Sequence, residues 1–272
     1  MDNIIILGAG KSGTTFLYYT IREVVEKNDS RCIFEGYKQK EGSGNILAKQ
    51  LIGSFLEEPT SLKDEDTLNE MISEIDYVFD KKIFMVRDPR DSLISRFFWF
   101  HSLKQFEGFE KDFESSLKLI EQKEKNPSSV SLKQLLTNLE DCQNNFYTGV
   151  FKQHQYIYNH AIPCILSKQE WFIFRYENLI KENFKNLEKY LGLELPRDKD
   201  IVAGHFSHVA RTKSYDNWRS FFTQEDVDWL KPKYYQCLKD LNYDAEDWNL
   251  TAVDSLDPKN GSEYIKMLFG RE

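Results

Sequence analysis

Apolar residues along this chain fall into two rhythms, and their alternation predicts the fold class. The unbroken run Ile4-Ile5-Ile6-Leu7 suits a fully buried strand of a parallel sheet, and Ile83-Phe84-Met85-Val86 and Trp171-Phe172-Ile173-Phe174 also read as strands. Leu17, Ile21, Val24 and Val25 recur at helical spacing, as do Leu68, Met71, Ile72 and Ile75, and each set gives a helix one core-facing stripe. Read in order, the pattern predicts a strand from Asn3, a glycine loop at 8–15 and a helix from Phe16. Short strands follow at Arg31–Phe34 and Ile46–Ala48, the latter delivering Lys49 to the sheet edge. An amphipathic crossover lies in the acidic stretch 57–82, and a central strand spans Lys82–Val86. Asp88 is the N-cap and Pro89 the first residue of an aromatic-rich helix. Residues 121–134 read as a solvated loop, and 135–160 as helical. Trp171–Phe174 is a strand, and a helix over 182–191 is stopped by Gly192. The last long helix starts at Thr223 with Asp226 three residues on and carries Pro232 inside it. Strands alternating with helices predict an α/β fold whose loops gather at the carboxyl edge of a parallel sheet, where ligands bind.

With 272 residues the chain can bury a sizeable core. A single α/β domain is expected over 1–246, with a polar tail at 247–272 to which the sequence gives no role. The net charge of −8 argues against broad attraction to nucleic acid or to an anionic membrane. The four cysteines, Cys32, Cys142, Cys164 and Cys237, lie far apart, so neither a zinc site nor a disulfide framework is indicated. Lys11 interrupts the first apolar run before it reaches signal-peptide length, and no later run is long enough for a span. A cytoplasmic protein is expected; its oligomeric state is not readable.

The chemistry begins at Gly8-Ala9-Gly10-Lys11-Ser12-Gly13-Thr14-Thr15. A strand, a glycine loop and a helix N-terminus together favour an anion: glycines let the backbone approach it, leading amides point at it, and the helix dipole adds positive potential. Three readings compete. Gly8, Gly10 and Gly13 match the dinucleotide fingerprint, with Glu35 about where an acid meets a ribose. A Walker A loop would need its first glycine at position 5, which is Ile5, so the loop is too short for a triphosphate. The third reading is a loop for a 5′-phosphosulfate, with Lys11 on the terminal group and Ser12, Gly13, Thr14 and Thr15 supplying donors.

Two further motifs extend the third reading. Val86-Arg87-Asp88-Pro89-Arg90-Asp91-Ser92-Leu93-Ile94-Ser95 puts an arginine at a strand end and a serine about two turns into the next helix, a donor set suited to a compact dianion. Its bland alternative is a capped helix with a surface arginine. Arg211-Thr212-Lys213-Ser214-Tyr215-Asp216-Asn217-Trp218-Arg219 is basic and precedes Phe221-Phe222-Thr223; the alternative here is a basic loop packed by its tryptophan.

Together these stretches resemble the sulfotransferases that use 3′-phosphoadenosine 5′-phosphosulfate (PAPS). The resemblance implies a P-loop-NTPase-like parallel sheet flanked by helices, with the Lys11 loop on the 5′-phosphosulfate and Arg87 and Ser95 on the 3′-phosphate. Arg211, seven residues before Trp218, belongs to a third motif with Thr212 and Lys213. The family has Lys-Gly where Thr212 and Lys213 stand, and a glycine where Asp216 stands. Tyr176, in Tyr176-Glu177-Asn178-Leu179, takes the place of a tyrosine that contacts adenine. Phe16 stands where many soluble members have tryptophan, and core packing explains it better. No metal is implied.

The expected function is therefore transfer of a sulfuryl group from PAPS to a hydroxyl or amine of a small-molecule or carbohydrate acceptor. The alternatives are a Rossmann-type NAD-dependent oxidoreductase and a noncatalytic nucleotide-binding module. Lys11 is the candidate for stabilising the leaving phosphate. Many soluble relatives have a Lys-Thr-His base, but here Lys49-Gln50 is the nearest counterpart and glutamine cannot serve. Glu35, in Phe34-Glu35-Gly36, resembles the glutamate base of carbohydrate-directed branches. His101 is the alternative base, and a salt-bridged strand end is the alternative role for Glu35.

Overall fold

The computed structural model of the chain describes residues 2–28, 30–36, 45–52, 63–100, 109–142, 148–197 and 211–270. In chain order it begins with β1 (Ile4–Gly8), α1 (Thr14–Val25), β2 (Arg31–Phe34), β3 (Ile46–Leu51), α2 (Lys63–Val78) and β4 (Lys81–Val86). Next come α3 (Pro89–Phe100), α4 (Phe109–Lys125), α5 (Leu132–Cys142), α6 (Thr148–Tyr156) and, after a π-helical turn at Ile157–Ala161, α7 (Ile162–Lys168). β5 (Phe172–Arg175), α8 (Tyr176–Ile180) and α9 (Lys185–Leu191) follow, then α10 (Trp218–Phe221), α11 (Gln224–Asp240) and α12 (Ser262–Phe269).

The described residues form two compact units, each built from two stretches of chain: 1–87 with 156–207, and 88–155 with 208–272. The first holds a five-stranded sheet in the order β2-β3-β1-β4-β5, and every pairing is parallel. An α/β fold with an all-parallel sheet flanked by helices is thus what the alternating pattern gives. Two of the unbroken apolar runs are central strands: Ile4 to Leu7 are at most 2% exposed, and Ile83 to Val86 at most 1%, whereas the third forms β5 at the sheet edge, where Ile173 is 42% exposed. The helical stripes also pack as their spacing requires, with Leu17, Ile21 and Val25 of α1 and Leu68, Met71 and Ile75 of α2 buried.

The second unit is helical among its described residues. Thr223 and Asp226 form a reciprocal capping box at the start of α11, and Asp88 accepts the Arg90 amide at the start of α3 at 2.9 Å. The 121–134 stretch departs from its sequence reading. α4 runs on to Lys125 and α5 begins at Leu132, and Lys123, Glu124, Val130 and Leu132 are buried. The Lys123 ammonium donates to the carbonyls of Pro127 (2.9 Å) and Val130 (2.6 Å), so a charged side chain closes the turn from inside. The segment from 247 onward belongs to this unit: Trp248, Tyr264, Ile265 and Leu268 are buried. Among the described residues no helix is long and apolar enough to cross a membrane.

Candidate functional site

In the first unit the chain leaves β1 towards β2 on one side of the sheet and leaves β4 towards β5 on the other. The crevice outside the carboxyl ends of β1 and β4 is therefore a topological switch point, the place where open parallel sheets bind ligands. β1 ends at Gly8, in register with Met85, and the residue closing the β4 edge is Arg87.

The loop after β1 is held by its own backbone. The Ser12 amide and hydroxyl both donate to the Ala9 carbonyl, at 3.2 and 2.7 Å. Lys11 and Gly13 take left-handed conformations, φ 69° and 95°. For Gly13 no other residue suits: besides its φ, a Cβ there would stand 2.7 Å from Cδ2 of Tyr176 and 3.0 Å from Cε of Met85. α1 then starts at Thr14 with no side-chain cap, so its leading amides open beside the loop.

Arg87 joins the same assembly. Its Nη1 donates to the Lys11 carbonyl at 3.0 Å, and its guanidinium lies 4.1 Å over the ring of Tyr176. Tyr158, on the π-helical turn, donates its hydroxyl to the Arg87 carbonyl at 3.3 Å. The structure thus brings Lys11, Ser12, Gly13, Thr14, Thr15, Arg87 and Tyr176 together. Tyr176 is buried, with its ring engaged by Gly13 and Arg87. Sequence reasoning missed Met85 and Tyr158, because an interior strand residue and a π-turn leave no periodic signal.

Glu35 follows β2 with φ 59°, and its carboxylate meets the Lys49 ammonium at 3.0 Å. Lys49 is fully buried in β3, 3.8 Å over the ring of Phe34. Burial pushes its pKa down, and the Glu35 carboxylate opposes that shift. The Glu35 side chain is itself half-exposed, so one face of the carboxylate region is open to solvent while a cation anchors it.

Ser95, Arg211, Thr212 and Lys213 belong to the second unit. There the Arg211 guanidinium lies 4.7 Å over the ring of Phe98, and Phe98 is three residues from Ser95 on α3, so serine and arginine share one helix face. Asp91 Oδ1 accepts the Trp218 amide at 3.1 Å, and Arg90, clamped by Asp88 (Nη2 to Oδ2, 2.6 Å), lies 4.1 Å over the Trp218 ring. These contacts tie the start of α3 to the 211–219 stretch. Lys213 and Asp216 hold φ 46° and 60°, left-handed values that glycine adopts without penalty. Thr212 is half-buried and Lys213 exposed. His101 lies outside the described residues.

No protein-family model matches the chain, nor does any curated protein or any solved structure.

Proposed function

We propose that the protein is a P-loop-like sulfotransferase that moves a sulfuryl group from PAPS to an acceptor hydroxyl or amine. The observation that carries this reading is the meeting of the Lys11 loop with Arg87 at the switch point of the sheet, joined by the bond from Arg87 Nη1 to the Lys11 carbonyl. A cation, uncapped helix amides and a second cation within one unit suit a ligand with several anionic groups. The backbone at Lys213 and Asp216 lends further support: both positions replace glycines of the resembling family, and both keep the conformation that glycine would allow.

PAPS supplies a sulfuryl group on a phosphate leaving group. In this reading the Lys11 ammonium and the α1 amides stabilise negative charge on the leaving oxygen, and Ser12 to Thr15 hold the phosphosulfate. Arg87 binds the 3′-phosphate, and the resemblance adds Ser95, Arg211 and Lys213 to that task. Glu35 takes the acceptor's proton as the new oxygen–sulfur or nitrogen–sulfur bond forms, with Lys49 holding the carboxylate in place.

Strand order weighs against the oxidoreductase. A dinucleotide fold sets β2 beside β1 and so puts the acid at its end next to the glycine loop. Here β3 stands between them, which moves Glu35 a further strand away, about 4.8 Å. Thermal shift tests the proposal, since a ligand of the folded state stabilises it by RT ln(1 + [L]/Kd). We expect a clear rise in Tm with 3′,5′-diphosphoadenosine and little with NAD or 5′-AMP. Equal shifts with NAD would remove the sulfotransferase reading. A shift without sulfate transfer across a broad acceptor screen would favour a binding module.

A further inference from the structure

The C-terminal segment is docked onto α4 at Glu121 and Glu124. Glu124 accepts the Ser262 amide at 2.5 Å and the Ser262 hydroxyl at 2.8 Å, which caps α12 from another helix. Its own carbonyl accepts the Leu256 amide at 2.9 Å, and Lys266 of α12 reaches back to Glu121 at 2.7 Å. The fit is close at Gly261: a Cβ there would overlap Oε1 of Glu124 and stand 3.2 Å from its Cδ. The residue before Gly261 is Asn260, whose carbonyl accepts from Nη1 of Arg211 at 2.7 Å. Glu124 is buried and lies 87 residues before Arg211 in sequence, yet only the short stretch Asn260–Ser262 separates them in the bonding chain.

We infer that Glu124 and the Asn260–Ser262 turn it holds are the positioning shell of Arg211, so that the C-terminal segment is a working part of the nucleotide site. The inference rests on the reading above, in which Arg211 binds a phosphate of the nucleotide. A guanidinium on a loop has many rotamers. Here a backbone carbonyl and the Phe98 ring hold it on the Ser95 face of α3, and fixing it before the ligand arrives removes an ordering cost from binding. The carbonyl can do this only while Gly261 and Ser262 are seated on Glu124. Glu124 does not touch the ligand in this scheme; it acts through Arg211.

Two independent variants test it. Glu124→Leu keeps a side chain of similar size but removes both acceptors of Ser262, and Gly261→Ala displaces the carboxylate sterically. Affinity for 3′,5′-diphosphoadenosine is measured by calorimetry in each variant, with and without Arg211→Ala. We expect each variant to weaken binding about fivefold, the equivalent of one hydrogen bond of about 1 kcal/mol, and to have no further effect once Arg211 is alanine. Amide exchange over 211–217 should also quicken in both variants. A wild type that binds the nucleotide, alongside variants of lowered Tm and unchanged affinity, would overturn the positioning role and leave the sulfotransferase reading standing. A wild type that does not bind it would overturn that reading instead.

Discussion

Gly13 and Tyr176 are packed so closely that a single methyl group on the glycine would sit 2.7 Å from the tyrosine Cδ2. The contact pins the loop after β1 to the residue that follows β5. Gly13→Ala adds this clash to a left-handed backbone, and we expect it to cost about 1–3 kcal/mol of stability. Urea unfolding measures it. In a Tyr176→Ala background the penalty should shrink but not vanish, since the backbone strain remains; strictly additive effects would show that the two residues do not press on each other.

Lys11 and Arg87 should separate kinetically. If the Lys11 ammonium acts mainly on the transition state, Lys11→Ala lowers turnover more than affinity for 3′,5′-diphosphoadenosine, whereas Arg87→Ala chiefly weakens that affinity. Arg87→Lys should not rescue, because lysine cannot both stack flat on Tyr176 and reach the Lys11 carbonyl as a planar fork does. Full turnover in Lys11→Ala would contradict the mechanism.

For Glu35 the buried partner makes a sharper test than activity alone. Glu35→Gln should reduce turnover by roughly 10²–10⁴-fold with nucleotide binding nearly unchanged. It also leaves the Lys49 ammonium buried without its carboxylate, a loss of about 1–2 kcal/mol, less than for a fully buried pair because Glu35 is half-exposed. Adding Lys49→Met should restore stability and not turnover. A Gln variant within threefold of wild type, beside an inactive His101→Asn, would move the base to the histidine.

Two buried groups set opposite ends of the pH profile of stability. Burial pushes the Lys123 ammonium down to about 8, below its value in the unfolded chain, so the unfolded state binds more protons between about pH 8 and 10.5. The destabilisation is complete below that window and is relieved as pH rises through it. Lys123→Met keeps the apolar stem, and this alkaline gain in urea midpoint should disappear. His154, fully buried with Nδ1 2.6 Å from the Tyr234 hydroxyl, is held well below 6.5 by burial and then by Arg96. Below pH 6.5 the unfolded chain therefore takes up a proton that the native state refuses, and stability falls with acidification. His154→Gln should flatten that limb.

The sheet was legible in the sequence because its strands are short apolar runs with glycine or charge at their ends, and the tight loop after β1 because its glycines stand together in sequence. What escaped was whatever depends on pairing across distance. Lys49 read as an edge residue, yet the aromatic ring of Phe34 and the carboxylate of Glu35 allow its charge to be buried. The 121–134 stretch read as solvated because Lys123 and Glu124 are charged, but one is satisfied by two carbonyls and the other by Ser262, partners 4 to 138 residues away. Lys213 and Asp216 hold left-handed backbone, φ 46° and 60°, a conformation that neither residue type announces in a sequence.

Each unit is assembled from two separated stretches of chain, and this sets an order of events during synthesis. β1 to β4 emerge with the first 86 residues, but β5 follows only after residues 88–155, all belonging to the other unit, have been made. Until then the β4 edge has no partner and Gly13 has no Tyr176 to lie against. At roughly 5–20 residues per second, the nascent chain carries an open parallel edge for several seconds, a state prone to mispairing. The approach of Gly13 to Tyr176 is thus among the last features of the first unit to close, and a ribosome stalled before residue 172 would hold a chain with a formed loop and no floor beneath it.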